Sequence, residues 1–139
     1  MAIVQSMTSS FKEQLLLGVH NFSTDTFKMA LYVSTATLGP STTAYTASGE
    51  TSGNGYTAGG QILTGVVVNL TDTTAWVDFA NAVWTTTTSL TARGALIYNA
   101  SKGNKSVAVL DFGADKTALN TFTVQMPTPS ASTALIRIA

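Results

Sequence analysis

Few residues in this chain have side chains suited to acid–base or nucleophilic chemistry. His20 is the only histidine among 139 residues, and cysteine is absent. A Ser-His-carboxylate triad or an imidazole metal site would depend on His20 alone, and thiolate chemistry is excluded. A base at His20 needs an orienting carboxylate, and Asp25 is the nominal candidate. The plainer role is a histidine at a helix end, bonded to backbone, and we adopt it. Asp72, Asp78, Asp111 and Asp115 offer the oxygens that calcium takes, but no Asp-x-Asp spacing links them. Asp111-Phe112-Gly113 spells the kinase metal-binding tripeptide. No His-Arg-Asp and no glycine-rich loop with its lysine accompany it, so it reads as a strand end entering a turn. Residues 52–60 (SGNGYTAGG) look like a phosphate cradle, yet no Gly-Lys-Ser/Thr follows. They read as a flexible turn. Arg93, beside Gly94 in an otherwise apolar stretch, needs a carboxylate partner or a subunit edge. Asp78 and Asp111 are the candidate partners. The chain is therefore expected to be no enzyme, and to hold neither cofactor nor metal.

The elements around these residues are mostly strands. The centre of the chain is a hairpin within residues 92–113. Apolar runs at 95–98 and 107–112 flank a polar loop at 99–106 that carries Gly103-Asn104, residues that tolerate positive φ. Leu96 and Tyr98 point to one side of the first run, Ala95 and Ile97 to the other. On the return, Val107 and Val109 oppose Ala108, Leu110 and Phe112. Both faces are apolar, which predicts a central pair covered on two sides by another sheet, a helix or a partner chain. Basic and acidic residues number seven each and are scattered, so the phosphate-neutralising cluster that nucleic-acid binding needs is missing. Charged residues make up 10% of the chain, against roughly 25% in an average globular domain. Such a weakly charged surface favours packing in an assembly. No apolar run approaches the roughly 18 residues of a membrane span, and residues 1–7 do not resemble a secretory signal.

Taken in order, the chain starts with an arm and a helix within about residues 1–20. Ser10 and Glu13 match a capping box, and Gly18 marks the helix end. Phe11, Leu15 and Val19 form a core stripe that Leu16 widens, with Leu17 off it. Residues 26–33 alternate as a half-buried strand, with Phe27, Met29, Leu31 and Val33 on one face. Residues 34–61 are rich in turn formers and poor in bulk, a long excursion that drapes over the sheet or reaches a neighbour, anchored by Tyr45 and Tyr56. Strands follow at 62–70, with Val66, Val68 and Leu70 inward, and at 74–80, where Trp76 shares a face with Asp78 as a partly wet or partner-facing indole. Val83-Trp84 and the Thr85–Thr88 run lead into the central hairpin. Residues 114–120 read as a polar connection, 121–126 as a strand stopped by Pro127 and Pro129, and 134–139 as the last strand. Seven or eight short strands and one helix, with no βαβ alternation, predict one all-β domain over 1–139. Its expected form is an antiparallel β-sandwich, jelly-roll or barrel-like.

Six segments in order, 25–32 (DTFKMALY), 43–46 (TAYT), 55–60 (GYTAGG), 91–99 (TARGALIYN), 105–113 (KSVAVLDFG) and 134–139 (ALIRIA), resemble a group of small structural proteins of tailed bacteriophages. The resemblance covers nearly the whole chain and lies in the order and spacing of the segments. It implies a virion component, made in the host cytoplasm, of the capsid cement or decoration type. Such proteins bind the outer shell and bridge capsomers. The implied partners are the major capsid protein and other copies of the chain in a homo-oligomer, with no nucleic acid and no membrane. No site residue is carried over from the group. From the residues themselves, the candidate assembly contacts are Phe11, Leu16, Leu17, Tyr45, Tyr56, Trp76 and Arg93, with residues 1–17 and 34–61 as the contact segments. Alternative roles are a head–tail or tail component (adaptor, tube or fibre-associated) and a carbohydrate- or receptor-binding β-sandwich that stacks sugars on Trp76, Trp84, Tyr45 and Tyr56.

Overall fold

The computed structural model describes residues 2–139. It is an all-β fold with one α-helix and eight strands, in order β1 (Ser6–Met7), α1 (Ser9–Leu16), β2 (Phe27–Tyr32), β3 (Gln61–Ile62), β4 (Val67–Thr71), β5 (Thr74–Asp78), β6 (Ala82–Asn99), β7 (Lys105–Val124) and β8 (Ile136–Ile138). Two antiparallel sheets form, one ordered β1-β7-β6-β2-β3 and the other β4-β5-β8. They share no strand, so the arrangement is sandwich-like and no barrel closes.

The central hairpin is much longer than the apolar runs suggest. β6 and β7 have 18 and 20 residues; the Thr85–Thr88 run that leads into the hairpin and the expected connection 114–120 are both parts of these strands. Threonine fits a pleated surface as well as apolar β-branched residues do. The turn formers that suggested loops are absorbed as irregularities: Gly113 and Asn120 take positive φ where the register shifts. The Asp111-Phe112-Gly113 tripeptide is therefore an irregularity within a continuing strand. A third shift between Ile97 and Tyr98 leaves Val107 without an opposite residue. As a result Val107 joins the main core while Val109 joins the second cluster, contrary to the simple alternation.

β2 is a central strand buried on both faces, where a half-buried strand was expected. Phe27, Met29 and Leu31 face the main core with Ala95 and Ile97, and Val77 and Ile136 of the smaller sheet, with Phe79 just past β5, close that core. On the opposite face Ala30, Tyr32, Leu96, Tyr98 and Val109 pack beneath Ile3, Ala36 and Leu38. The excursion 34–61 thus covers the second apolar face of the hairpin.

The helix begins differently from the expected capping box. Thr8 is the N-cap and makes no side-chain cap bond. Its hydroxyl donates instead to the Val107 carbonyl at 3.4 Å, and the Ser10 hydroxyl is buried without a partner. The C-terminus follows the sequence: Gly18 has φ +72°, Gly18 N–H donates to Leu15 O, and Val19 N–H donates to Gln14 O. That is a Schellman closure.

Candidate assembly surface

His20 lies in a polar chain tied to side chains rather than to backbone, as was expected of it. Asn99 Nδ2 stands 3.0 Å from His20 Nδ1 and 2.9 Å from Asp25 Oδ2, and Gln14 Oε1 stands 2.8 Å from His20 Nε2. The amide nitrogen is a donor, so Nδ1 accepts and Nε2 carries the proton. Lys102 Nζ completes the chain on Asp25 Oδ1 at 3.0 Å. Burial holds the imidazole below its ordinary pKa against the raising effect of Asp25. Burial also acts to raise the Asp25 carboxyl, but the Asn99, Asn21 and Lys102 contacts outweigh it and hold that group low. Both ring nitrogens of His20 are occupied, and the chain fastens the helix end to the hairpin turn.

A second cluster was not visible in sequence. All four tyrosines of the chain surround Glu50. Tyr45 donates to its carboxylate at 2.6 Å, Tyr56 at 2.5 Å, and Gly59 N–H at 2.8 Å. Tyr98 donates to Gly59 O at 2.6 Å and Tyr32 to Thr46 O at 2.7 Å, while the Tyr56 hydroxyl accepts from Leu31 N–H at 2.9 Å. Burial, then Glu50, pushes the Tyr45 phenol up to about 12, and burial raises Tyr32, Tyr56 and Tyr98. The glycines of 52–60 bring the loop this close: a Cβ on Gly60 would lie 1.7 Å from Met29 O. Here 52–60 is a clasp on the sheet. Glu50 is the only charged residue in 34–61, and that isolation was the available signal.

Most of the candidate contacts are committed inside the molecule. Phe11 is fully buried in the main core and Tyr56 is buried beside Trp84, so neither reaches a partner. Trp76 is buried as well, its indole N–H donating to Thr71 Oγ1 at 3.2 Å, where a wet or partner-facing ring was expected. Its edge is covered within its own sheet. Tyr45 is half-buried on Glu50. Arg93 pairs with Asp111 at 3.1 Å, one of its two expected partners. With Trp84 also buried, the aromatic set proposed for sugar stacking offers no open platform. Among the described residues no three of His, Asp and Glu come together as a metal site would require.

Leu16 and Leu17 are different. They are 91% and 70% exposed, so Leu16 does not widen the core stripe; Phe11 and Leu15 alone face inward from α1. The smaller sheet carries a second exposed apolar surface. Val68, Val77 and Ile136 form one cross-strand row, and Leu70, Ala75 and Ile138 form the next on the same face. Val77 and Ile136 are buried, while Val68, Leu70 and Ile138 are 54%, 66% and 55% exposed. The expectation that Val66, Val68 and Leu70 point inward is overturned: all three are exposed, and β4 is covered by nothing in the monomer. A small notch of about 100 Å³ lies between this sheet and the inward side of the helix, lined by Leu15 and Phe22 on one side and Val68, Ala75 and Ile138 on the other. A larger groove of about 850 Å³ runs along β7 between Gln5–Met7 and residues 125–137. β1 pairs with β7 at Ala108 and Val109, Ala44 bridges Lys105, Thr8 N–H donates to Val107 O and Gln5 Oε1 accepts from Asp111 N–H, so it is the edge beyond Asp111 that faces the groove.

No helix among the described residues is long and apolar enough to cross a membrane. No family model, no curated protein and no solved structure matches the chain.

Proposed function

We propose that this chain is a virion structural protein of a tailed bacteriophage, a non-catalytic capsid cement protein that binds the outside of the shell as a homo-oligomer. Its partners in this reading are the major capsid protein and further copies of itself, with no nucleic acid and no membrane. The carrying observation is the exposure of the large apolar residues Leu16, Leu17, Val68, Leu70 and Ile138 on a fold with very little charge. Exposed apolar surface marks interaction sites; here it lies in two places, the helix end at Leu16 and Leu17 and the smaller sheet at Val68, Leu70 and Ile138, all exposed in the monomer. The resemblance of six ordered segments to phage virion proteins supplies the particle. The candidates for chemistry favour no catalytic role: His20 is bonded at both nitrogens, and Asp111 is bonded to Arg93.

Burying one large aliphatic side chain is worth about 1.5–3 kcal/mol, and repeated contacts in an oligomer multiply a weak single contact. The test is binding of purified protein to expanded capsids, with the double variant Leu16→Ser, Leu17→Ser compared with wild type. We expect the variant to stay folded and to lose at least tenfold in affinity. Undiminished binding removes the helix end from the interface.

The open edge of β7 favours a second reading, a head–tail or tail component. Ring subunits commonly pass an extended segment to a neighbour, and an unpaired strand beside a groove can receive one. Rings formed by the purified protein would favour that role over cement.

A further inference from the structure

We propose that β4 is the seam of a two-fold dimer, in which β4 strands of two copies pair antiparallel and join two three-stranded sheets into one of six strands. This rests on the homo-oligomer part of the reading above and not on its capsid part.

β4 is an edge strand, paired to β5 on one side only. Natural sheets guard such edges with charge, proline, a bulge or a covering loop. β4 has none of the first three. Its residues are Val67, Val68, Asn69, Leu70 and Thr71, its register with β5 has no shift, and the chain holds no charged residue from Thr51 to Thr71. Nothing covers it either, since all five residues are exposed.

The direction of its backbone groups fixes how a partner would dock. Thr71 and Thr74 close the two-residue turn to β5, and the N–H of Leu70 is met by its neighbour's Asn69 Oδ1 at 2.8 Å rather than by β5. Alternation along a strand then assigns Val68 and Leu70 to the outward set. A second β4 centred on Asn69 meets that set in register, the Leu70 N–H exchanging Asn69 Oδ1 for a carbonyl of the other copy. Val68 of one copy exchanges both backbone bonds with Leu70 of the other, and the reverse, while the two Asn69 residues face each other. The same register sets Val68 beside Leu70 on one face and Val67 beside Thr71 on the opposite face. No like charges meet, so the strand is its own complement.

The chain's lack of cysteine makes the test clean. Directly opposed residues of a non-hydrogen-bonded antiparallel pair lie about 4.5 Å apart at Cα, within the roughly 4.4–6.8 Å that a disulfide spans. Asn69→Cys should therefore cross-link to a dimer on mild oxidation. Asp72→Cys, at the hairpin tip, should not: its two copies would stand about 20 Å apart at ~3.4 Å per residue. Wild type should show twice the monomer mass in sedimentation equilibrium, and Leu70→Lys should show the monomer mass with an unchanged circular dichroism spectrum. A dimer that persists in Leu70→Lys, equal cross-linking at positions 69 and 72, or a wild type that stays monomeric at its highest soluble concentration overturns the seam. Capsid binding is read separately, so loss of the seam and loss of shell binding remain distinct results.

Discussion

Removing the Glu50 carboxylate should release the clasp that holds residues 34–61 to the sheet. Glu50 accepts three hydrogen bonds, from Tyr45, Tyr56 and Gly59 N–H. A bond to a charged acceptor contributes about 1.5–3 kcal/mol net. Tyr45 is half-buried, so water can replace its bond once the carboxylate is gone. The Tyr56 hydroxyl is buried and has no such substitute. Counting the Tyr56 and Gly59 bonds alone, Glu50→Ala should cost about 3–5 kcal/mol. Glu50→Gln keeps one carbonyl oxygen and should cost about half as much, while Tyr45→Phe should cost less than ~1 kcal/mol. Urea unfolding read by tryptophan fluorescence is the assay, because Trp84 stacks 6.2 Å from the Tyr56 ring. At a slope of about 1–3 kcal/mol per molar urea, the alanine variant should unfold at least 1 M earlier than wild type. An unchanged midpoint for Glu50→Ala, or equal losses for the alanine and glutamine variants, would refute the clasp.

Other outcomes follow from the same structure. Gly60→Ala should destabilise by about 3 kcal/mol or more, because its Cβ meets Met29 O. Gly18→Ala, with open space around it, should cost only the ~1–2 kcal/mol of left-handed backbone; equal losses in thermal melts would contradict this. His20 has a folded pKa below its free value, so the unfolded chain binds the extra proton. Stability should fall as pH drops from about 6.5 toward the folded value, and His20→Gln should abolish that slope. The tyrosines act in the opposite direction. Their folded pKa values are raised, so their contribution is intact below about pH 10 and lost as pH rises through the folded values. A flat melting temperature between pH 9 and 12 would count against the tyrosine cluster.

The chain declared its β class, its helix stop at Gly18 and its hairpin turn at Gly103-Asn104 because each depends on local chemistry. The two covered faces of the hairpin were also legible, since Leu96, Tyr98, Ala95 and Ile97 leave no polar side. What the sequence hid depends on distant partners. Asn99 reads as a turn residue, yet its amide links His20 to Asp25 across the fold. The strand continuity of 114–120 was hidden because its polar residues and the flanking Gly113 suit loops and irregular strands alike. Val66, Val68 and Leu70 looked like core because periodicity identifies an apolar face without saying what covers it. At β4 nothing in the monomer does, and that failure of the burial pattern is what identifies the surface.

The proposed role is decided by cryo-electron microscopy of the virions that the proposal assigns this chain to. The prediction is density for this fold on the outer capsid shell at capsomer junctions, with Leu16 and Leu17 or the exposed β4 strand at a seam. Density at the portal or along the tail, or absence of the protein from the particle, would contradict it.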